Sequence, residues 1–388
     1  MLKEKKPKIV FTFVEAGMGH IIPMRVLSSV FQRKYGDKCE VVNSYIFSDS
    51  KNSAVQDIGK ELTNHSVRAA TNWFYNRFEA LSYLLSSRLT LKVLDKHFDS
   101  RIKPFIEDLK SVNPDLIVSS YYLPSHLARI ANGQGATDTL IATYSPDPYI
   151  YPAWDRKCDL FIVNNDNAFS MAVKKGFDKE KVLQVPFVYK EEFASLNLDK
   201  TFNRKNLGLS DKFTLLITGG AYGANGTEKL VKTLLESGLE ISLVVVCGKN
   251  QRLYDSLLSM NEIKGENTDY HVIGYTERLA EYMCAADIVV GKAGSNTIME
   301  TAYAGRPLVV FSEINRLEEI TSKYWQKQNI IIREKNPKKI LKIVKDYINN
   351  PQKLTEYFSS TEQFRNHTGA EKAADELFKL LKSKYPEL

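Results

Sequence analysis

A histidine follows two closely spaced glycines in the segment Glu15-Ala16-Gly17-Met18-Gly19-His20, directly after the apolar run Ile9–Val14. Glycines let a backbone turn tightly and approach a ligand, and a helix that follows such a turn offers free N–H groups to an anion. A histidine at that helix start can take a proton near neutral pH. The same residues also satisfy a plain turn with a solvent-facing helix cap. The pattern is not GxGxxG, and no acidic residue follows at the distance a ribose-binding dinucleotide fold requires. A second such junction, Thr218-Gly219-Gly220-Ala221-Tyr222-Gly223, follows Thr214–Ile217 and can lay its N–H groups against a diphosphate. The third runs from Gly274-Tyr275-Thr276 through an amphipathic segment and the strand Ile288–Val290 to Gly291-Lys292-Ala293-Gly294-Ser295-Asn296-Thr297. A helix from about Ile298 then carries Glu300 and ends near Gly305-Arg306-Pro307. The small-residue turn suits phosphate, the two carboxylate oxygens of Glu300 suit a pair of ribose hydroxyls, and Tyr275 can stack on a base.

These junctions must be held by strands. Ile9–Val14, Glu40–Val42, Leu116–Ser119, Leu140–Thr143 and Leu160–Val163 read as buried strands in the first half. Thr214–Thr218, Ile241–Cys247, His271–Ile273, Ile288–Val290 and Leu308–Phe311 repeat the pattern in the second. Continuous Val/Ile/Leu runs alternating with amphipathic segments predict α/β architecture with parallel sheets covered on both faces. The 388-residue length suits two domains. The polar stretch within Val185–Leu209 predicts a boundary that separates residues 1–195 from 196–364. No repeat of roughly 20–50 residues interrupts the pattern.

Composition excludes several classes. Hydrophobic residues make up 43% and charged residues 26%, as in a soluble globular protein. The cysteines Cys39, Cys158, Cys247 and Cys284 lack CxxC or His-linked spacing, so they read as reduced buried thiols in a cytosolic protein. The opening residues lack the long apolar region of a signal peptide, and no run approaches about 18 apolar residues. The net charge of +7 suits phosphate, anionic lipid or nucleic acid alike. No aromatic–basic motif of an RNA module accompanies it, so no nucleic-acid partner is expected.

The stretch GYTERLAEYMCAADIVVGKAGSNTIMETAYAGRPLVVF, with AGMGH near the N-terminus and TGGAYG in the middle, resembles the family-28 glycosyltransferases. That group includes MurG, plant monogalactosyldiacylglycerol synthases and bacterial processive diacylglycerol glucosyltransferases. The resemblance implies the GT-B fold, two Rossmann-like domains facing across a cleft. It also implies a C-terminal helix, about 365–388, that packs back on the N-terminal domain. By the same resemblance Glu300 binds ribose, Tyr275 covers uracil and Thr276 reads its edge. Gly219, Gly220, Ala221, Ser295, Asn296 and Thr297 surround the diphosphate, and Glu318 and Glu319 hold sugar hydroxyls. The acceptor enters the N-terminal domain against the loop Gly17, Met18 and Gly19, where His20 or Asp147 is the implied base. Pro114–Ser119 and Tyr151-Pro152-Ala153-Trp154 point to the diacylglycerol branch. The chain departs from the family pattern at Glu15, Ala16, Met18, Tyr151, Val188 and Thr321.

The implied reaction is a single displacement moving a hexose from a UDP-sugar to diacylglycerol or a glycosyl-diacylglycerol. No cofactor or bound metal is expected, the UDP-sugar being a co-substrate. The alternatives on the same fold are a MurG-like N-acetylglucosaminyltransferase acting on a polyprenyl-linked acceptor and a UDP-sugar 2-epimerase. A non-enzymatic nucleotide-binding module is a further reading, opposed by His20 and Glu300 together. Aromatic, apolar and basic residues mix over Trp73–Lys103. This suits peripheral seating on an anionic membrane, here the inner face of the cell membrane, and equally a core-facing helix with a solvated basic side.

Overall fold

The computed structural model describes residues 6–14, 18–45, 49–51, 53, 55–56, 60, 99–151, 154–220, 223–313 and 315–388. The chain forms two compact units, one of residues 1–191 with 366–388 and the other of residues 192–365.

The first unit contains β1 (Lys8–Thr12), α1 (Met18–Tyr35), β2 (Glu40–Ser44), α2 (Asp99–Val112), β3 (Leu116–Ser119) and α3 (Tyr122–Gly133). It continues with β4 (Leu140–Tyr144), β5 (Leu160–Val163), α4 (Asp166–Lys174) and β6 (Val182–Gln184). Its strands form one sheet in the order β2-β1-β3-β4-β5-β6, and every pairing is parallel. Alternate residues go to opposite faces. Ile9, Phe11, Leu116, Val118 and Ile162 pack in one cluster, while Ile117, Ile141, Phe161 and Val163 pack in another. A sheet buried on both sides cannot use polar alternation, which is why these strands read as unbroken apolar runs.

The second unit holds α5 (Lys200–Leu207), β7 (Phe213–Thr218), α6 (Thr227–Leu235), β8 (Ile241–Val246), α7 (Gln251–Ser259), β9 (Asp269–Ile273) and α8 (Leu279–Ala285). Then follow β10 (Ile288–Lys292), α9 (Ser295–Ala304), β11 (Leu308–Ser312), α10 (Arg316–Lys327), β12 (Ile331–Arg333), α11 (Pro337–Asn349) and α12 (Gln352–Ser360). Its parallel sheet has the order β12-β11-β10-β7-β8-β9. The chain ends in α13 (Gly369–Lys384), which returns to the first unit. There Phe378 stacks on Tyr35 of α1 at 4.0 Å between ring centroids and 5° between planes. Arg33 pairs with Glu371 at 2.6 Å beside that contact.

All ten strand segments expected from the sequence are present. The sequence reading omitted β6 and β12, each of three residues at the edge of its sheet. An edge strand that short leaves too little apolar periodicity to be read.

In an open parallel sheet, ligands bind beyond the carboxyl ends of the strands, where the strand order reverses. In the first sheet that point lies between β1 and β3, and in the second between β7 and β10. The glycine-bearing junctions after β7 and β10 leave the second sheet at its reversal, and α1, with Gly19 and His20 in its first turn, begins beyond β1 at that of the first.

Candidate active site

In the first unit, α1 starts just beyond β1 and carries His20 in its first turn. The chain beyond β3 supplies the partner. His20 Nδ1 lies 2.7 Å from the carbonyl oxygen of Ser120, and the Ser120 hydroxyl donates to the His20 carbonyl at 2.6 Å. A carbonyl only accepts, so the neutral ring carries its proton on Nδ1 and leaves the Nε2 lone pair as the basic position. The Tyr121 ring stands edge-on to the imidazole at 5.3 Å. Burial pushes the His20 pKa below the usual histidine value, although the charge of Asp147 and the Ser120 carbonyl act in the opposite direction. The imidazole is therefore neutral at pH 7, the state a general base needs. Among the described residues, a Cβ built on Gly19 would meet nothing within 4 Å. Gly17 and the side chain of Met18 lie outside the described residues, as do the residues of the Trp73–Lys103 stretch up to 98.

Asp147 sits in the segment that follows β4, close enough for its charge to act on His20. Two asparagines just after β5 hold that segment. Asn164 Nδ2 donates to the carbonyl of Pro146 at 2.9 Å, and Asn167 Nδ2 donates to that of Pro148 at 2.6 Å. The carbonyls on both sides of Asp147 are thus pinned. Asn165 caps α4 by accepting from the Ala168 amide at 2.9 Å, and it orients Asn164 through a 2.8 Å bond to Oδ1. The Asn164-Asn165-Asp166-Asn167 run thus both caps α4 and clamps the Asp147 loop.

In the second unit, the turn after β7 is possible only with glycine. A Cβ on Gly219 would lie 2.3 Å from the Ala224 amide nitrogen, and Gly220 has φ +73°. Ala221 falls outside the described residues. Beyond β10, α9 begins at Ser295 with Gly294, which has no side chain to cap it, as its N-cap, and the positive end of the helix dipole lies at this turn. The two polar atoms of the Asn296 amide are buried and have no hydrogen-bond partner among the described residues. Such a group is satisfied when a polar ligand arrives. Glu300 lies on α9 with only 7% exposure.

Tyr275, by contrast, is 64% exposed. The Lys249 ammonium, on the loop after β8, lies 5.7 Å from its ring centroid. The hydroxyl of Thr276 accepts from the Arg278 amide at 3.0 Å, which turns the chain into α8. At the start of α10, Asn315 accepts from the Glu318 amide at 2.9 Å. Glu318 and Glu319, neighbours in sequence, then have different partners. Glu318 accepts from Lys292 at 2.9 Å. Glu319 pairs within its own helix with Lys323 and Arg316, and both pairings lower its pKa. Sequence reasoning assigned no role to Lys292, Ser120, Asn164, Asn167 or Lys249, since each acts through neighbours distant in the chain.

No group of three or more His, Cys, Asp or Glu side chains arranged to hold a metal occurs among the described residues. No helix among them is long and apolar enough to cross a membrane. All four cysteines are free and buried.

Comparison with known proteins supplies an independent line. A family model described as the glycosyltransferase family 28 C-terminal domain matches residues 214–377. A second, described as monogalactosyldiacylglycerol (MGDG) synthase, matches residues 20–185. A processive diacylglycerol beta-glucosyltransferase of Bacillus cereus (strain AH187) is 24% identical over 346 residues, covering 85% of this chain and 83% of that protein. Among solved structures, Acinetobacter baumannii MurG superposes with TM-score 0.62 at 15% identity, covering 96% of this chain and all of that one (100%). Anabaena Alr3699/HepE in complex with UDP and glucose superposes with TM-score 0.55 at 13% identity, over 97% of this chain and 100% of that one. At such identities the structural likeness shows a shared two-unit fold.

Proposed function

We propose that this chain, which belongs to glycosyltransferase family 28 and has the GT-B fold, moves a hexose from a UDP-sugar to diacylglycerol or a glycosyl-diacylglycerol. The observation that carries the mechanism is the state of His20: its Nδ1 is committed to the Ser120 carbonyl, leaving Nε2 as a basic nitrogen. In this reading residues 1–195 receive the acceptor and residues 196–364 the donor. Nε2 takes the proton of the acceptor hydroxyl as its oxygen attacks the anomeric carbon. The bond from that carbon to the β-phosphate oxygen breaks, and UDP leaves with the electron pair. Asp147 favours the imidazolium that forms, because its charge already raises the affinity of His20 for a proton.

On the donor side, Gly219, Gly220 and the Ser295–Thr297 turn surround the diphosphate, where the dipole of α9 favours the charge that develops on UDP. Glu300 takes the ribose hydroxyls, Tyr275 covers the uracil, Thr276 reads its edge, and Glu318 with Glu319 meets the hexose. The acceptor reading follows the relatives named above, one of which is a diacylglycerol glucosyltransferase. A lipid acceptor places the enzyme on a membrane surface, and the basic and aromatic stretch Trp73–Lys103 is the segment we assign to peripheral contact with anionic lipid at the inner face of the cell membrane.

The test is to incubate the protein with single UDP-hexoses and diacylglycerol in liposomes, following UDP release and glycolipid together. Release that depends on the lipid, with one hexose transferred to lipid per UDP, is expected. Equal UDP release without acceptor, or interconversion of UDP-sugars, overturns the transferase reading.

A further inference from the structure

We propose that Lys292 is the cation that binds the diphosphate of the donor, held ready for it by Glu318. The proposal rests on the reading of the second unit as the donor site, and it concerns a residue to which that reading gives no role.

The backbone first sets Lys292 apart. Along the β10–β11 ladder, Gly291 pairs with Val310 but Lys292 pairs with Ser312, so Phe311 is passed over. Such an irregularity at the end of a strand re-aims the adjacent side chain. Here it occurs at the carboxyl end of β10, the strand that borders the reversal of strand order between β7 and β10.

The side chain then runs across both glycine junctions. A Cβ on Gly220 would stand 3.1 Å from Lys292 Cε, and a Cβ on Gly294 would stand 3.6 Å from both Cε and Nζ. The lysine therefore lies against the bare faces of the two turns that offer N–H groups to a diphosphate, one after β7 and the other at the start of α9. Its ammonium donates to Glu318 Oε1 at 2.9 Å, with the two side chains only 24% and 16% exposed.

Charge explains why the position calls for a cation. A carboxylate beside a diphosphate would repel it, and partial burial strengthens that repulsion because little water intervenes. An ammonium between the two cancels the repulsion and adds a charge-assisted hydrogen bond to a phosphate oxygen. With three donors, Nζ can keep Glu318 while reaching a second acceptor.

The test measures binding of uridine and of UDP to the full chain by titration calorimetry, so it needs no acceptor and no turnover. In Lys292→Met, uridine affinity is expected to stay unchanged while UDP affinity falls by about 10- to 100-fold, the usual range for a hydrogen bond to a charged group. Lys292→Arg, which keeps the charge, is expected to retain most of the preference for UDP over uridine and serves if the methionine variant does not fold. A parallel fall in both affinities would assign Lys292 a purely structural role, and unchanged UDP affinity would remove the role altogether; either result overturns the proposal. Wild-type protein that binds uridine and UDP equally also overturns it. Wild-type protein that binds neither ligand shows instead that the donor reading has failed, and the proposal goes with it.

Discussion

His20 shows how a single side chain acquires a function from what surrounds it. Its ring is desolvated, its Nδ1 proton is fixed on Ser120, and Asp147 limits how far the pKa drops. A base acts only when unprotonated, so activity falls as pH drops through the pKa of His20. Because that pKa lies below the ordinary value, the acid limb of kcat/KM is expected below pH 6.5. Asp147→Asn removes a charge that raises the pKa, so in that variant the limb should move to still lower pH while the rate at the plateau falls. A limb that stays put, or moves up, would show that Asp147 does not act on the base. Glu300 makes a separate demand. If its two oxygens hold the ribose, Glu300→Ala should weaken UDP binding by about 100-fold, the loss of two hydrogen bonds to a carboxylate. Unchanged UDP affinity in a calorimetric titration would free Glu300 of that assignment.

At the scale of elements, loops are held by the helices that follow the neighbouring strand. The Asp147 segment has Asn164 and Asn167 donating to the carbonyls on either side of it. Asn167→Ala removes one clamp without touching the donor unit. The expected result is a kcat lowered by about tenfold with KM for the UDP-sugar unchanged, because about 1.4 kcal/mol is the scale of one such hydrogen bond. Steady-state kinetics at varied donor concentration check this, and a rise in donor KM of the same size would contradict it. At the other sheet, Glu313 ties β12 to α10 by accepting from Arg333 and from Ser322. Burial would raise its pKa, but Arg333, Lys335 and the Ser322 hydroxyl hold it down to about 2. That carboxylate stays ionised through the pH range in which an enzyme works, so the link between β12 and α10 persists across it.

Over the whole molecule, the first unit is closed by a helix from the far end of the chain. Phe378 on α13 is 8% exposed and stacks on Tyr35 of α1, the helix that begins at the His20 turn. Phe378→Ala is expected to cost about 3–4 kcal/mol, the range for truncating a buried aromatic residue. Thermal unfolding should show that loss in the first unit, with UDP binding kept by the second. Loss of UDP binding in proportion to the destabilisation would mean that the units do not unfold separately. The alternation of apolar runs and amphipathic segments was enough to specify parallel sheets, because a strand buried on both faces has no room for polar residues. The three glycine junctions were legible for a related reason: turns such as that at Gly219 admit no other side chain, so the constraint is written in the residue itself. The sequence by itself thus determined the fold class, all the strands except the short edge strands β6 and β12, and the residues at the carboxyl ends of β1, β7 and β10. Which partners those residues take was decided by tertiary structure alone. Ser120 meets His20 from 100 residues away, and Lys292 reaches Glu318 across 26. No local periodicity encodes such pairings, since they arise only when parallel strands bring the ends of separate βα units to the same edge of a sheet.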